Sequence, residues 1–493
     1  MDSAAAPFLV GGEIFNLITS AMYDTPLAVY REYIQNSSDA IQSVNGNGQM
    51  RIDIRIDPIA RSVTIRDNGP GLSRRGAEQN LIPIARSRKL RGIDRGFRGI
   101  GRLAGLAFAE SVVFRTRSTR NNAATELVWD GDALRRSAAE INMTPKQIIE
   151  NCVRISEFDG SEWPDHFFEV ELRNVARHAA GEILNRDAVR AYIAEVCPVP
   201  MGRSFPFARN ISDLFTECKI PLFSLDIFLD GNSEPITRPF GPGLAISKDR
   251  QYSFSEFEWF RIPAVEGVKL GAVGWLAHSA YSGAIPKNLS IRGLRARQGN
   301  LQIGNESVFD HLYSEDRFNR WCVGEIHVVD NRILPNGRRD YFEPGPHIRN
   351  LENQLLTIAR SVSQRCRAAS VGRNTLRKFV VELEQTETIY ELAASGYLKA
   401  SDARVLVEGA IQRLVEAYGN SSTLRDFPPR ERARLQEVED KLKAFTPKRG
   451  RPAFGKVRAS EIGIYQKVFR ALANTSPTPQ AAIRTIEQVL AST

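Results

Sequence analysis

Apolar residues between Gly11 and Val44 fall at helical spacing, first Ile14, Leu17 and Ile18, then Leu27, Tyr30, Ile34 and Ile41. Asp24-Thr25-Pro26 interrupts them as a cap followed by an early helical proline would, so the pattern predicts two successive helices. From Arg51 to Asp57 the period changes to strict alternation, with Ile52, Ile54 and Ile56 on one face, and Val63 and Ile65 repeat it after a turn. A hairpin ending at Asp67 follows. Strand-like runs then recur at 112–114, 127–129 and 167–172. Helices first and strands after, without βαβ alternation, predict an α+β domain rather than a doubly wound one.

Short β-like runs at 225–229 and 326–329, set among Pro- and Gly-rich loops, mark a second region. Beyond Asn350 the pattern turns helical. Leu351, Leu355, Ile358 and Val362 form one stripe, Ser401 precedes a run with Val405, Ile411 and Leu414, and Ser460 and Thr478-Pro479 open two shorter helices. At about 150 residues per domain, the 493-residue chain has room for roughly three. The expected division is 1–180, 181–350 and 351–493, with the third part helical and carrying a basic linker over 446–458.

The chain is 42% hydrophobic and 25% charged, values ordinary for a globular protein, which argues against wholesale disorder, collagen or coiled coil. Five well-separated cysteines with no CxxC pair read as reduced structural thiols, and the six histidines show no metal-ligand spacing. The N-terminus lacks the basic region of a secretory signal, and no apolar run approaches the roughly 18 residues of a membrane span, so no membrane association and a cytoplasmic location are expected. The net charge is +9, but its distribution says more: residues 81–120 hold ten Lys/Arg against Asp94 and Glu110, and 441–460 hold seven with no acid. Such blocks suit a polyanion, or else form solvated basic faces.

Three polar clusters carry candidate chemistry. Glu32, Asn36 and Asp39 are spaced four and three apart, so they share one face of the second helix. There a carboxylate can take a proton from water while an amide oxygen ligates a hard cation, unless the face is a plain solvated stripe. Asp67-Asn-Gly69-Pro-Gly71-Leu72 follows a strand directly. Its glycines allow close approach to a flat ligand and its carboxylate can accept from an exocyclic amine, although the same string also makes an ordinary turn. Gly96-Phe-Arg-Gly99-Ile100-Gly101 leads into Arg102-Leu-Ala, as a phosphate-binding glycine loop does, but it lacks the context of a Rossmann fingerprint.

Taken in order, E-x-x-x-N-x-x-D-A, D-x-G-x-G and GxxGxG resemble the GHKL (Bergerat-fold) ATPases, which include the HtpG-type ninety-kilodalton heat-shock chaperones, MutL, gyrase B, the MORC proteins and histidine kinases. The stretch from Met22 to Glu32 is most similar to the chaperones. The resemblance implies an N-terminal ATP-binding α/β sandwich, an α+β middle domain and ATP with Mg²⁺ as ligands. It makes Glu32 the general base and Asn36 the Mg²⁺ ligand, with Asp39 on the same face. Asp67 would hold the adenine amine, with Gly69, Gly71 and Leu72 around the base and Asn80 near sugar and phosphates. Arg86, Lys89, Gly96, Gly99, Ile100 and Gly101 would belong to the lid and its phosphate contacts. These chaperones place a Gly-Thr on a late strand for the adenine water network. Here Asp165-His166-Phe167-Phe168 stands in its place, and Thr125 is a substitute candidate.

Downstream, Leu334-Pro335-Asn336-Gly-Arg338-Arg339-Asp340 is similar to the middle-domain segment whose arginine reaches the γ-phosphate; the resemblance implies that role for Arg339, with Arg338 as the alternative. Arg292, Arg295 and Arg297 line either a solvated strand face or the same cleft. Pro447-Lys448-Arg449-Gly450-Arg451-Pro452 resembles the AT-hook core Arg-Gly-Arg-Pro, or is simply an interhelical basic linker. Two functions follow from the resemblance. One is an ATP-hydrolysing homodimeric clamp acting on a protein client. The other is a MORC- or MutL-like clamp on nucleic acid, bound through 446–458, in genome or antiviral defence.

Overall fold

In the computed structural model, residues 25–43, 50–84, 101–119, 122–140, 143–247, 250–418, 425, 427–447 and 454–492 are described. The alternating run forms strand β1 (Arg51–Asp57), antiparallel to β2 (Ser62–Asp67) with Ile54 opposite Ile65. Ile52, Ile54, Ile56, Val63 and Ile65 are all buried on one face. A one-residue slip would turn that whole set to solvent, at about 2 kcal/mol for each exposed side chain, so the register is strongly specified.

Five further strands complete the first sheet: β3 (Ala109–Arg117), β4 (Ala123–Asp130), β5 (Val153–Asp159), β6 (Phe167–Val175) and β7 (Asp226–Leu229), in the order β5-β4-β3-β6-β2-β1-β7. All pairs are antiparallel except β7 with β1. The run at 225–229, expected in the second region, therefore extends the first sheet. Ile227 lies opposite Ile52 and joins the same core.

Helix α1 (Ala28–Gln42) lays Val29, Tyr30, Tyr33, Ile34 and Ile41 into that core, and the 3-10 segment Gly101–Ala107 adds Leu103, Ala104 and Leu106. Around it stand α2 (Arg74–Leu81), α3 (Gly131–Ala139), α4 (Pro145–Cys152), α5 (Arg177–Ile183) and α6 (Arg186–Val196). Of these, α4 starts on a complete capping box made by Thr144 and Gln147. The earlier helix expected around Ile14–Ile18 lies outside the described residues. The start of α1 differs from the expected cap: Leu27 is its N-cap with no side-chain bond, and Thr25 Oγ1 accepts from the Leu27 amide at 3.3 Å.

After α7 (Ala208–Glu217) come the β8 (Gly243–Ser247) and β9 (Arg250–Ser253) hairpin and a five-stranded sheet. Its strands β10 (Glu256–Pro263), β11 (Leu270–His278), β12 (Gly293–Gln298), β13 (Leu301–Ile303) and β14 (Val323–Val328) run in the order β10-β11-β14-β12-β13, with β12 and β14 parallel. Phe205, Phe240, Phe254 and Trp275 centre an aromatic core beneath it.

Arg295 and Arg297, left open between a solvated face and a cleft, are instead 2% and 1% exposed. Glu325 on β14 takes Arg297 Nε and, at 3.0 Å, Arg238 Nη1, while Arg297 Nη2 donates to the Glu195 carbonyl at 2.5 Å and Arg295 pairs with the Glu195 side chain. Acceptors on two other segments, Glu325 on β14 and Glu195 on α6, make these cations buriable, and sequence spacing could not show it.

The chain divides into two compact units, Met1–Cys366 and Arg367–Thr493. Helix α8 (Pro346–Ala394) begins in the first, where Leu351, Leu355 and Val362 are buried. The second contains the rest of α8 with α9 (Ala400–Tyr418), α10 (Pro429–Lys443), α11 (Ile462–Thr475) and α12 (Pro479–Ala491), cored by Phe379, Leu383, Phe427, Phe454 and Phe469. On α9 the buried positions are Ala403, Val407, Ala410 and Leu414, whereas Val405 and Ile411 of the expected stripe are exposed. Thr478 caps α12 as expected, accepting from the Ala481 amide at 3.2 Å. All five cysteines are free thiols, and among the described residues no helix is long and apolar enough to cross a membrane.

Candidate active site

Two tyrosines fix the polar face of α1. Tyr30 Oη donates to the Ile183 carbonyl at 2.7 Å; Tyr33 Oη donates to the Arg102 carbonyl at 3.2 Å and accepts from the Gly105 amide at 3.0 Å. Burial holds both phenols neutral. Between them Glu32 is buried, and its Oε1 lies 3.5 Å from Arg31 Nε and 3.5 Å from Arg339 Nε. Gly101 closes on the same carboxylate so tightly that a Cβ there would overlap Glu32 Oε2. Asn36 and Asp39 are half-buried one and two turns further along α1.

Asp67 ends β2 at 2% exposure. Its Oδ2 accepts from Ser37 Oγ at 2.6 Å and its Oδ1 from the Gly69 amide at 2.9 Å. Burial nevertheless pushes its carboxyl from an ordinary 3.8 up to about 6, against the opposing pull of those two bonds and of nearby His166. The loop that follows needs glycine: Gly71 has φ +62°, and a Cβ on it would overlap the Arg117 carbonyl. Leu72 is held through its amide, which donates to Thr116 Oγ1 at 2.7 Å, and that hydroxyl donates onward to the Phe167 carbonyl at 3.0 Å.

Thr116 is thus the hydroxyl at this loop. Thr125 is on β4 opposite Thr116, so β3 and β6 separate it from β2, and Phe168 is the residue across from Asp67. No motif pointed to Thr116, because its role depends on the pairing of β3 with β6. His166 lies in the segment that stands in place of the chaperones' Gly-Thr, and its Nδ1 reaches the Gly69 carbonyl at 2.8 Å, a contact that the sequence alone did not show.

Arg339 belongs to a tight turn closed by the Pro335–Phe342 bridge, and it takes the left-handed conformation with φ 59°. A non-glycine residue there stores strain, here offset by backbone bonds from the Arg339 amide to Asn336 at 3.2 Å and from the Gly304 amide to Arg339 at 2.8 Å. Arg338 is exposed, and its carbonyl accepts from Arg31 Nη2 at 3.4 Å. Of the two arginines, it is Arg339 whose guanidinium meets Glu32.

Asn80 is exposed on α2, where its Nδ2 donates to the Gly76 carbonyl at 2.8 Å. Arg86, Lys89, Gly96, Gly99 and Ile100 lie outside the described residues, as do 448–453 of the basic linker. Glu32, Asn36, Asp39, Asp67, Gly69, Gly71, Leu72, Gly101 and Arg339 all fall on α1, on the segments packed against it, or on the turn that meets Glu32.

A helix carrying a carboxylate and an amide, laid on a mostly antiparallel sheet whose inner strand ends in a buried aspartate and a glycine turn, is the arrangement of a GHKL-type domain. The family model described as "Histidine kinase-, DNA gyrase B-, and HSP90-like ATPase" matches residues 25–161. Residues 25–161 are therefore similar to the ATPase domain of the GHKL superfamily, and the similarity extends to its HtpG-like members. It is 29% identical over 143 residues to the chaperone protein HtpG of Alkalilimnicola ehrlichii, covering 24% of this chain and 22% of that protein. It is 25% identical over 188 residues to HtpG of Fusobacterium nucleatum (34% and 30%), and 26% identical over 197 residues to HtpG of Shewanella loihica (35% and 29%). The chain spans less than a third of the length of these relatives.

Proposed function

We propose that the protein binds and hydrolyses ATP to ADP and phosphate, and that ATP-driven closure and homodimerisation couple this reaction to remodelling of a protein client. The observation that carries the reading is the meeting of Glu32 and Arg339 on α1, the helix that also binds Asp67 through Ser37. Asp67, buried and accepting from Ser37 and the Gly69 amide among the described residues, has lone pairs left to accept from the adenine amine. Glu32 takes a proton from the attacking water as the water oxygen bonds to the γ-phosphorus and the bond to the β,γ-bridging oxygen breaks. The guanidinium of Arg339 stabilises the charge spread over the transferred phosphoryl oxygens, so turnover depends on the turn that carries it.

The donor set fits magnesium: the Asn36 amide oxygen is a hard ligand one helical turn from Glu32, and substrate phosphates supply the remaining charge. Asn36 would hold Mg²⁺, which neutralises phosphate charge when bound. The reading assigns an ATP-binding part over 1–180, whose sheet β7 of the next part completes, a part supplying Arg339 over 181–350 and a helical part over 351–493, and takes the protein as cytoplasmic. A second reading, an ATP-gated nucleic-acid clamp, is favoured by the acid-free basic stretch 441–460.

Steady-state ATP hydrolysis with and without duplex DNA, with Glu32→Ala as control, tests both. Slow turnover that requires Glu32 and ignores DNA supports the client clamp; stimulation by DNA that fades with rising salt supports the nucleic-acid clamp. Hydrolysis unchanged in Glu32→Ala refutes the mechanism.

A further inference from the structure

The segment leading into β6 carries a half-buried imidazole, His166, with Nδ1 2.8 Å from the Gly69 carbonyl oxygen. A carbonyl only accepts, so Nδ1 bears the proton and the tautomer is set by this contact. Other ties of the loop run through different atoms: the Gly69 amide to Asp67, the Leu72 amide to Thr116, and the Gly71 Cα against the Arg117 and Phe167 carbonyls.

The tie matters because of where it acts. The carbonyl of Gly69 and the amide that binds Asp67 Oδ1 belong to the same residue, and a Cβ on Gly69 would stand 2.8 Å from that oxygen. Moving Gly69 therefore moves a donor to the one buried carboxylate at the end of β2. Thr116 controls the far end of the loop and Ser37 the helix side; His166 controls the middle. Phe167, next to His166, is itself the acceptor for Thr116, so one short segment before β6 anchors the loop at two points.

We propose that His166 is a positioning residue for the nucleobase: by donating from Nδ1 to the Gly69 carbonyl, it holds the Asp67–Leu72 loop in the geometry that receives the adenine of ATP. The inference rests on the reading of that loop as the base site. Its chemistry predicts a separation of effects. Losing one half-buried hydrogen bond that orders the loop weakens nucleotide binding, while Glu32 and Arg339, which act on the phosphoryl end, are left in place.

The test uses the full chain, with ATP affinity measured by titration calorimetry on a nonhydrolysable ATP analogue and turnover measured at saturating ATP. His166→Phe keeps a ring but removes the donor; His166→Ala serves if that ring does not fit. His166→Asn is the conservative variant, because its Nδ2 takes the position of Nδ1. Expected for His166→Phe is a dissociation constant raised about 4- to 12-fold, the worth of one half-buried hydrogen bond, with turnover at saturation falling less than about twofold. His166→Asn should bind within about threefold of wild type. Wild-type affinity in His166→Phe and His166→Ala, or equal losses in His166→Phe and His166→Asn, would overturn the proposal. So would a fall in turnover at unchanged affinity. A wild-type protein that binds no adenine nucleotide would remove the base-site reading itself, and this proposal with it.

Discussion

Asp67→Asn should make the unliganded protein more stable while removing its affinity for ATP. The carboxyl of Asp67 is buried and its pKa is raised from 3.8 to about 6, so the folded state holds the proton more tightly than the unfolded chain does. Between those two values the folded state binds more protons, and stability falls as pH rises through that window. The difference is about two units, or about 3 kcal/mol at about 1.4 kcal/mol per unit, and it persists as a constant cost above pH 6. Asparagine keeps the shape, accepts from the Gly69 amide and donates to Ser37, whose hydroxyl can turn to accept, and it carries no charge to desolvate. Urea unfolding at pH 7.5 should show a gain approaching about 3 kcal/mol, shrinking toward zero near pH 4 where aspartate is itself neutral. The same variant presents an amide N–H₂ where an acceptor is needed, so ATP affinity should fall by about 100-fold or more. A variant less stable than wild type at pH 7.5, or a gain equal at pH 4 and pH 7.5, would refute the account. So would retained ATP binding.

Other expected outcomes follow from named contacts. Glu32→Ala should bind ATP within a few-fold of wild type and lose about 10²- to 10⁴-fold in turnover, measured by phosphate release. Arg339→Ala should lower turnover by about 10²-fold or more with little change in ATP affinity, and Arg339→Lys should not restore it, since an ammonium lacks the planar fork; unchanged turnover removes Arg339 from the mechanism. Glu325→Leu leaves the buried guanidiniums of Arg238 and Arg297 without their shared carboxylate, so unfolding should come about 3–5 kcal/mol earlier, and a neutral result would show that solvent reaches the cluster.

What the sequence by itself determined is local. Alternation in Arg51–Asp57 specified β1 and its buried face, because a strand with period two has one arrangement that buries three isoleucines. Spacings of four and three placed Glu32, Asn36 and Asp39 on one helical face, because the helix has 3.6 residues per turn. The Asp67–Leu72 turn was legible because φ +62° at Gly71 and the close approach around it require glycine.

Tertiary structure alone decided the rest. β7 is distant in sequence from β1, yet its Ile227 completes the first core, and no local period announces a parallel edge partner. Arg295 and Arg297 look like surface residues until Glu195 and Glu325 arrive from other elements to offset their burial. Thr116 and His166 gain their contacts with the Asp67–Leu72 loop only once β3 and β6 pair beside β2. Hydrogen bonds form between positions that the fold makes adjacent, so their donors carry no signature in the chain until long-range packing brings them together.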